Sequence, residues 1–312
     1  MNKSGKTNAN NASIKHSQNF LHDSKLVESL IQQSNITKED VVIEVGAGKG
    51  IITDKLSGIA KKIIAIELDN SLYSNLIKKY ENTNVFLLND DFLKYKLPTH
   101  SYKVFSNIPF NITANIITKL FESNNPPSHT YLIMQYEAFL KYAGKPFYNE
   151  SYKSLLYKPL FTSAVEYNFK KTDFKPTPNA DIVLASFIKK EQADINPQDY
   201  KLWQDFLSFI FLEHGQTIKD KVKKIFSYKQ LKVLFKQAKI NDTDTVTTLS
   251  YHQWLILFEL FNSYHVSKEK KQIVLGATRL MNKNQQKITK LHRNRRSGNW
   301  RNSVKSKTIK SK

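Results

Sequence analysis

Val41-Val42-Ile43-Glu44-Val45-Gly46-Ala47-Gly48-Lys49-Gly50 decides the fold class of this chain. The short apolar run over residues 41–45 predicts a buried strand, and the amphipathic stretch that continues to Leu56 predicts a helix. Between them, glycines let the backbone turn sharply and let a ligand approach without meeting a Cβ. The spacing is G-x-G-x-G, not the G-x-G-x-x-G of dinucleotide binders. An ordinary strand-to-helix turn would read the same way, so the surrounding chain has to supply the weight.

Outward from that turn, strand-like and helix-like segments alternate. Residues 62–68 are strand-like and 70–80 have helical spacing. Residues 84–88, 102–106 and 131–135 add three strands, with a helix over 112–121 before the last of them. Such alternation predicts a parallel sheet with helices on both faces. Residues 165–171 and 182–189 predict two later strands around a proline-rich turn, close enough to pair as a hairpin. After Lys190 apolar residues recur at helical spacing: Leu202, Phe206, Phe209 and Ile210, then Val222, Ile225 and Phe226, then Leu231, Leu234 and Phe235, then Trp254, Leu257, Phe258 and Phe261. The expected division is a catalytic domain over 1–190, a small helical domain over 191–265 and a basic tail over 266–312.

Composition narrows the partners. The 312 residues carry a formal net charge of +21, which points to a polyanion. Between Ser263 and Lys312 fifteen Lys or Arg stand against one acid, Glu269, so this tail holds +14 of that charge. Its composition predicts disorder, and a disordered basic arm still binds phosphate backbones. Trp300, among Arg295, Arg296 and Arg301, could stack on an unpaired base. Residues 219–239 hold eight lysines and one acid, Asp220. That run reads as a solvated helix face or as an RNA-facing surface. There is no cysteine, which excludes disulfides and thiolate metal sites and fits a cytoplasmic protein. No His-x-x-x-His pair suggests zinc, so no metal is expected. No apolar run approaches a membrane span, and residues 1–17 lack the apolar centre of a secretory signal.

Two further stretches carry chemistry. Glu67 ends the second strand about twenty residues after the glycine turn, where an acid can take both hydroxyls of a ribose. Turn and acid together predict an adenosine-containing cofactor without choosing between a nicotinamide cofactor and S-adenosylmethionine. Asn107-Ile108-Pro109-Phe110, at the C-terminal end of the fourth strand, makes the choice. A proline turn ending a strand is its plainer reading. An exocyclic adenine nitrogen, however, is a poor nucleophile that needs positioning and stabilisation of a growing positive charge. The amide oxygen of Asn107 and the carbonyl of Ile108 can accept both N6 hydrogens, and Phe110 offers a π face. Asp91 either holds the adenine of the cofactor or caps a helix. Phe174, before Lys175-Pro176-Thr177-Pro178, is either a core aromatic or a second stacking wall for an extruded base.

With these residues in place the chain resembles the ribosomal RNA adenine N6-methyltransferases, and within them the macrolide-resistance (Erm) branch acting on 23S rRNA. Ile14-Lys15-His16-Ser17-Gln18-Asn19-Phe20-Leu21 is similar to the family's N-terminal cofactor motif. The glycine turn, Ile66-Glu67-Leu68-Asp69, Asp91-Phe92, the Asn107 turn and the Phe174 segment follow in the family's order. Leu249-Ser250-Tyr251-His252-Gln253-Trp254 resembles the segment near that branch's usual C-terminus. The resemblance covers about residues 14–265.

It implies an α/β fold with a Rossmann-like methyltransferase sheet, a C-terminal helical domain sharing RNA binding, S-adenosyl-L-methionine as cofactor and rRNA as partner, acted on by a monomer with no membrane. It implies that Asn19, Leu21, Gly46, Gly48, Glu67, Leu68, Asp91, Phe92 and Asn107 bind the cofactor. Asn107, Ile108, Phe110 and Phe174 would act on the adenine, the two rings sandwiching it. Phe110 stands where the family often has Tyr, and Ala180 where Val is usual. The runner-up is the housekeeping branch that dimethylates small-subunit rRNA. Ala47 between the glycines argues against it, since that branch usually has proline there. So does Ile108, where that branch usually has leucine. A non-catalytic RNA-binding relative is a third reading, against which the intact Asn107 motif stands.

Overall fold

The computed structural model describes residues 19–263 and 265–291. Ile14 to Gln18 of the N-terminal motif and Trp300 in the far tail lie outside them. The chain divides into two compact units. One holds the chain up to Pro197 and also Thr247–Tyr251; the other holds Gln198–Val246 and the chain from His252 onward.

The first unit is built on β1 (Phe20–Leu21), β2 (Val41–Val45), β3 (Lys62–Glu67), β4 (Val85–Asn89), β5 (Lys103–Asn107), β6 (His129–Gln135), β7 (Phe161–Asn168), β8 (Phe174–Lys175) and β9 (Ile182–Lys189). Seven of these form one sheet in the order β4-β3-β2-β5-β6-β9-β7. The first five run parallel, which matches the expected alternation. Their centres are near-continuous apolar runs because helices cover both faces. The later hairpin is also present: β9 runs antiparallel to β6 and to β7. Its first strand begins at Phe161 rather than 165, and a bulge between Val165 and Tyr167 interrupts the alternation that a period-2 reading relies on. β1 and β8 form a separate two-stranded ladder, pairing Leu21 with Phe174 and Phe20 with Lys175.

Helices α1 (Ser24–Gln32), α2 (Ile51–Ser57), α3 (Asn70–Ile77), α4 (Thr113–Phe121), α5 (Tyr136–Ala143) and α6 (Tyr152–Tyr157) belong to this unit. Asp23 caps α1 and Asp69 caps α3, each through side-chain bonds to backbone N–H groups of the first turn. Asp69 stands two residues after Glu67, the last residue of β3, and its own N–H donates to that carboxylate.

The second unit contains α7 (Tyr200–Leu212), α8 (Ile218–Val222), α9 (Tyr228–Ala238), all but the first residue of α10 (Tyr251–Asn262), α11 (Lys268–Gln272) and α12 (Ala277–Leu291). Its core is aromatic: Trp203 meets Phe258 edge-on at 5.1 Å and Phe206 lies 5.0 Å from Phe261. Two lysines of the 219–239 run find acids from outside it, Lys219 with Asp242 and Lys224 with Glu213, each at 2.8 Å.

The basic tail expected over 266–312 is helical in part of its described portion. Residues 268–272 and 277–291 are helical. Val274, Ala277 and Met281 are buried, a stripe too sparse to stand out from the lysines around it. Asp205 on α7 accepts hydrogen bonds at 3.0 Å from the backbone N–H groups of Gly276 and Thr278. Burial opposes the charge on Asp205, but the bonds from Thr278 and Gly276 prevail and hold its carboxyl below the usual range.

Candidate active site

In an open α/β sheet, ligands bind beyond the C-terminal ends of the strands where the strand order reverses. Here that point lies between β2 and β5. The two strands pair only at Val42 with Lys103 and Ile43 with Val104. Beyond that, the hydroxyl of buried Ser106 takes over: Val45 N–H donates to Oγ at 3.2 Å, and Oγ donates to the Val45 carbonyl at 2.6 Å. The strand ends can therefore part without leaving buried backbone groups unpaired. Ser106→Ala should lower the unfolding free energy by about 1–3 kcal/mol, the cost of orphaning buried polar groups. An unchanged urea midpoint would remove this role from Ser106.

The crevice is lined by the glycine turn on one side and the Asn107 turn on the other. Gly46 has φ +77° and Gly50 φ +84°, the left-handed region that favours glycine. A Cβ on Gly50 would meet the Tyr80 hydroxyl at 2.5 Å, whereas one on Gly46 would meet only Pro109 Cδ, at 4.0 Å across the crevice. Gly46 thus keeps open a space that a side chain would fill. Glu67 lies at the crevice floor, where Oε2 accepts from Gly48 N–H and Oε1 from Asp69 N–H, both at 2.8 Å. Each oxygen retains a lone pair for a ligand. Glu44 is fully buried below the turn, and the Thr53 hydroxyl donates to it at 2.5 Å. Burial, with Glu67 nearby, holds its carboxyl well above the ordinary 4.5.

Asn107 is half-buried. Its Nδ2 donates to the Asn19 carbonyl at 2.8 Å, and Asn19 Nδ2 donates to the Pro176 carbonyl at 2.6 Å. A carbonyl only accepts, so the amide of Asn107 must turn its nitrogen toward Asn19 and its oxygen away. The N-terminal segment, itself anchored on the proline loop, thereby sets the orientation of an amide 88 residues away in sequence.

Asn19, Leu21, Gly46, Gly48, Glu67, Asn107, Ile108 and Phe110 all line this one crevice. Leu68, Asp91, Phe92 and Phe174 do not. Leu68 is 48% exposed just beyond Glu67. Asp91 Oδ1 accepts from Leu93 N–H at 2.9 Å, the local capping that its spacing left open. Phe92 is buried, with the Lys119 ammonium 5.6 Å from its ring centre. Phe174 is 1% exposed and meets Phe169 edge-on at 5.2 Å, the core-aromatic alternative. Among the lining residues that carry no assigned role are Phe20 and Lys49, whose ammonium stands 5.1 Å from the Phe20 ring centre. The signal for Lys49 was available, a cation inside the glycine turn. Its partner, near the N-terminus, was not legible from local spacing.

The family model described as ribosomal RNA adenine dimethylase matches residues 9–263. Among curated proteins, the rRNA adenine N-6-methyltransferase of Escherichia coli is 32% identical over 257 residues, covering 81% of this chain and 97% of its own length. That of Bacillus anthracis is 31% identical over 251 residues, covering 79% and 86%. Two crystal structures share the fold: the 23S rRNA methyltransferase ErmE, with a TM-score of 0.72 over 78% of this chain and 100% of that one, and a dimethyladenosine transferase from Plasmodium falciparum, with 0.64 over 79% and 98%. Both are 22% identical in sequence, a likeness that carries the fold alone.

Proposed function

This chain belongs to the ribosomal RNA adenine dimethylase family and is an rRNA adenine N6-methyltransferase that uses S-adenosylmethionine, and we propose that its target is an adenine of 23S rRNA, dimethylated at N6, with macrolide resistance as the consequence. The residues present fit the cofactor: a carboxylate with free lone pairs, a turn kept open by Gly46, and an amide oxygen facing away from its anchor. That convergence on one crevice is the observation that carries the reaction. Ala47, Ile108 and residues 249–254 support 23S over 16S, since each resembles the resistance branch.

S-adenosylmethionine supplies a methyl group already activated as an electrophile on a sulfonium. The task left to the protein is aim and charge. On methyl acceptance positive charge would build on N6, and that charge is what the chain's own residues have to meet. Asn107 Oδ1 and the Ile108 carbonyl accept the N6 hydrogens and draw that nitrogen toward tetrahedral geometry. Phe110 lends its π face to the developing cation. The methylated nitrogen then loses a proton to water, so no general base is required. Glu67 takes the ribose hydroxyls.

Methylation of purified 23S and 16S rRNA, supplied separately, tests the target. Label is expected in 23S only, and a susceptible bacterium expressing the chain should become macrolide-resistant. Label confined to 16S would favour the housekeeping branch.

The stacking residues give a graded expectation. Phe110→Tyr retains the ring and should stay within a few-fold of wild type. Phe174→Leu refills buried volume without a ring, so the protein should stay folded, and base capture weaker by about 1–3 kcal/mol would make this buried ring a stacking wall. Unaltered activity in Phe174→Leu would leave that residue to the core alone.

A further inference from the structure

Helices α11 and α12 lie beyond residue 263, where the match to the family model ends. α12 is docked rather than free. Ala277 and Met281 are buried, Ser208 and Thr278 share a hydroxyl bond at 3.1 Å, and Asp205 grips the backbone N–H groups of Gly276 and Thr278. Such a mount fixes which face of α12 looks outward.

The outward face is cationic. Arg279, Lys283 and Lys287 are exposed and recur every four residues, so they stack along one side of the helix about 6 Å apart. α12 contains no acid, and among the described residues no salt bridge reaches any of the three. Elsewhere in the same unit Lys201, Lys219 and Lys224 each have a carboxylate partner. Like charges at this spacing repel, so the stripe works against the stability of the free helix. A stripe held rigidly in spite of that repulsion suits a polyanion that relieves it.

We propose that α12 is an added RNA-binding element whose Arg279, Lys283 and Lys287 take consecutive backbone phosphates of the rRNA substrate. The proposal rests on the reading of rRNA as substrate. It concerns affinity, not choice of adenine, because cations on phosphates carry no sequence information. An anionic membrane is the other polyanion, but a membrane-lying helix needs a broad exposed apolar face. The apolar face of α12 is turned inward, and Leu280 is its one exposed large apolar residue among those described.

The test uses the full chain and protein-free bacterial rRNA, with binding measured from 50 to 200 mM salt. The variant Arg279→Gln/Lys283→Gln/Lys287→Gln is compared with wild type and with Lys38→Gln/Lys61→Gln/Lys78→Gln, which removes equal charge from exposed positions of the other unit. Each phosphate contact adds about 0.7 to the slope of log K against log salt on single strands and about 0.9 on duplex. The α12 variant should therefore lose about 2 from the slope, with an affinity deficit about 16-fold larger at 50 mM than at 200 mM. The methylated adenine should be unchanged. The charge-conserving Arg279→Lys/Lys283→Arg/Lys287→Arg should keep the wild-type slope, and thermal melting checks that each variant is folded. An unchanged slope in the Gln variant, an equal loss in the control, or a loss seen only on vesicles of anionic phospholipid would overturn the proposal. Failure of the wild-type chain to methylate rRNA would instead overturn the functional reading, while the slopes still decide the role of α12.

Discussion

Asn107→Ala is expected to reduce methyl transfer by on the order of 10²-fold or more while the protein stays folded. The side chain lines an open crevice rather than filling the core, so its removal leaves no sealed cavity. It also ends a relay of bonds, from the Pro176 carbonyl to Asn19 and from the Asn19 carbonyl to Asn107. Because that relay points Oδ1 away from Asn19, the acceptor is oriented before any substrate arrives. An acceptor that needs no reorganisation is worth more in the transition state than one that must be ordered. Asn107→Asp sharpens the test. A carboxylate oxygen would then face the Asn19 carbonyl, two acceptors would repel, and the orientation would be lost although an acceptor remains. Both variants should show reduced kcat in labelled methyl transfer, with melting temperatures near wild type. Transfer within a few-fold of wild type for Asn107→Ala would refute the mechanism.

The parts of the fold that the sequence reveals are those governed by local pattern. β2, β3, β5 and β6 could be read because each is buried on both faces and so carries a short apolar core, Val41–Ile43, Ile63–Ile66, Val104–Phe105 and Tyr131–Met134. The glycine turn, Glu67 and the Asn107 turn were legible because each sits within a few residues of a strand end. Contacts between distant segments were not. The ladder of β1 with β8 joins Phe20 and Leu21 to residues more than 150 positions away and uses only backbone bonds. Ser106 looks like any strand serine until the divergence of β2 and β5 gives its hydroxyl two partners. Asp91 and Phe174 each fit two readings at the same spacing, because spacing shows no partner such as the Leu93 N–H or the Phe169 ring. Around α12, charge density outweighed a short apolar stripe, because a mean over composition cannot see that Val274, Ala277 and Met281 are buried.

Glu67→Ala should raise the dissociation constant for S-adenosylmethionine by on the order of 10²-fold, since hydrogen bonds to a charged group contribute about 1.5–3 kcal/mol each and a ribose diol can make two. The loss has a second source inside the protein. Glu67 holds Gly48 N–H on one oxygen and Asp69 N–H on the other, tying the glycine turn to the end of β3. Alanine would leave both donors without that acceptor and loosen the turn that faces the cofactor. Glu67→Gln separates shape from chemistry. It matches the side chain in size, but one of its two ends is an NH2 group, which must face a backbone N–H and repel it. Even this close substitute should therefore bind the cofactor markedly more weakly than wild type. Glu67→Asp keeps both oxygens but is one methylene too short to hold both donors. The expected ranking is wild type, then Asp and Gln, then Ala, read by calorimetric titration of the cofactor. Kinetically, Glu67 variants should raise the cofactor KM and recover much of their rate at saturation, whereas Asn107→Ala should stay slow at any cofactor concentration. A dissociation constant for Glu67→Ala within threefold of wild type would detach this carboxylate from the ribose and leave it a structural tie of the glycine turn.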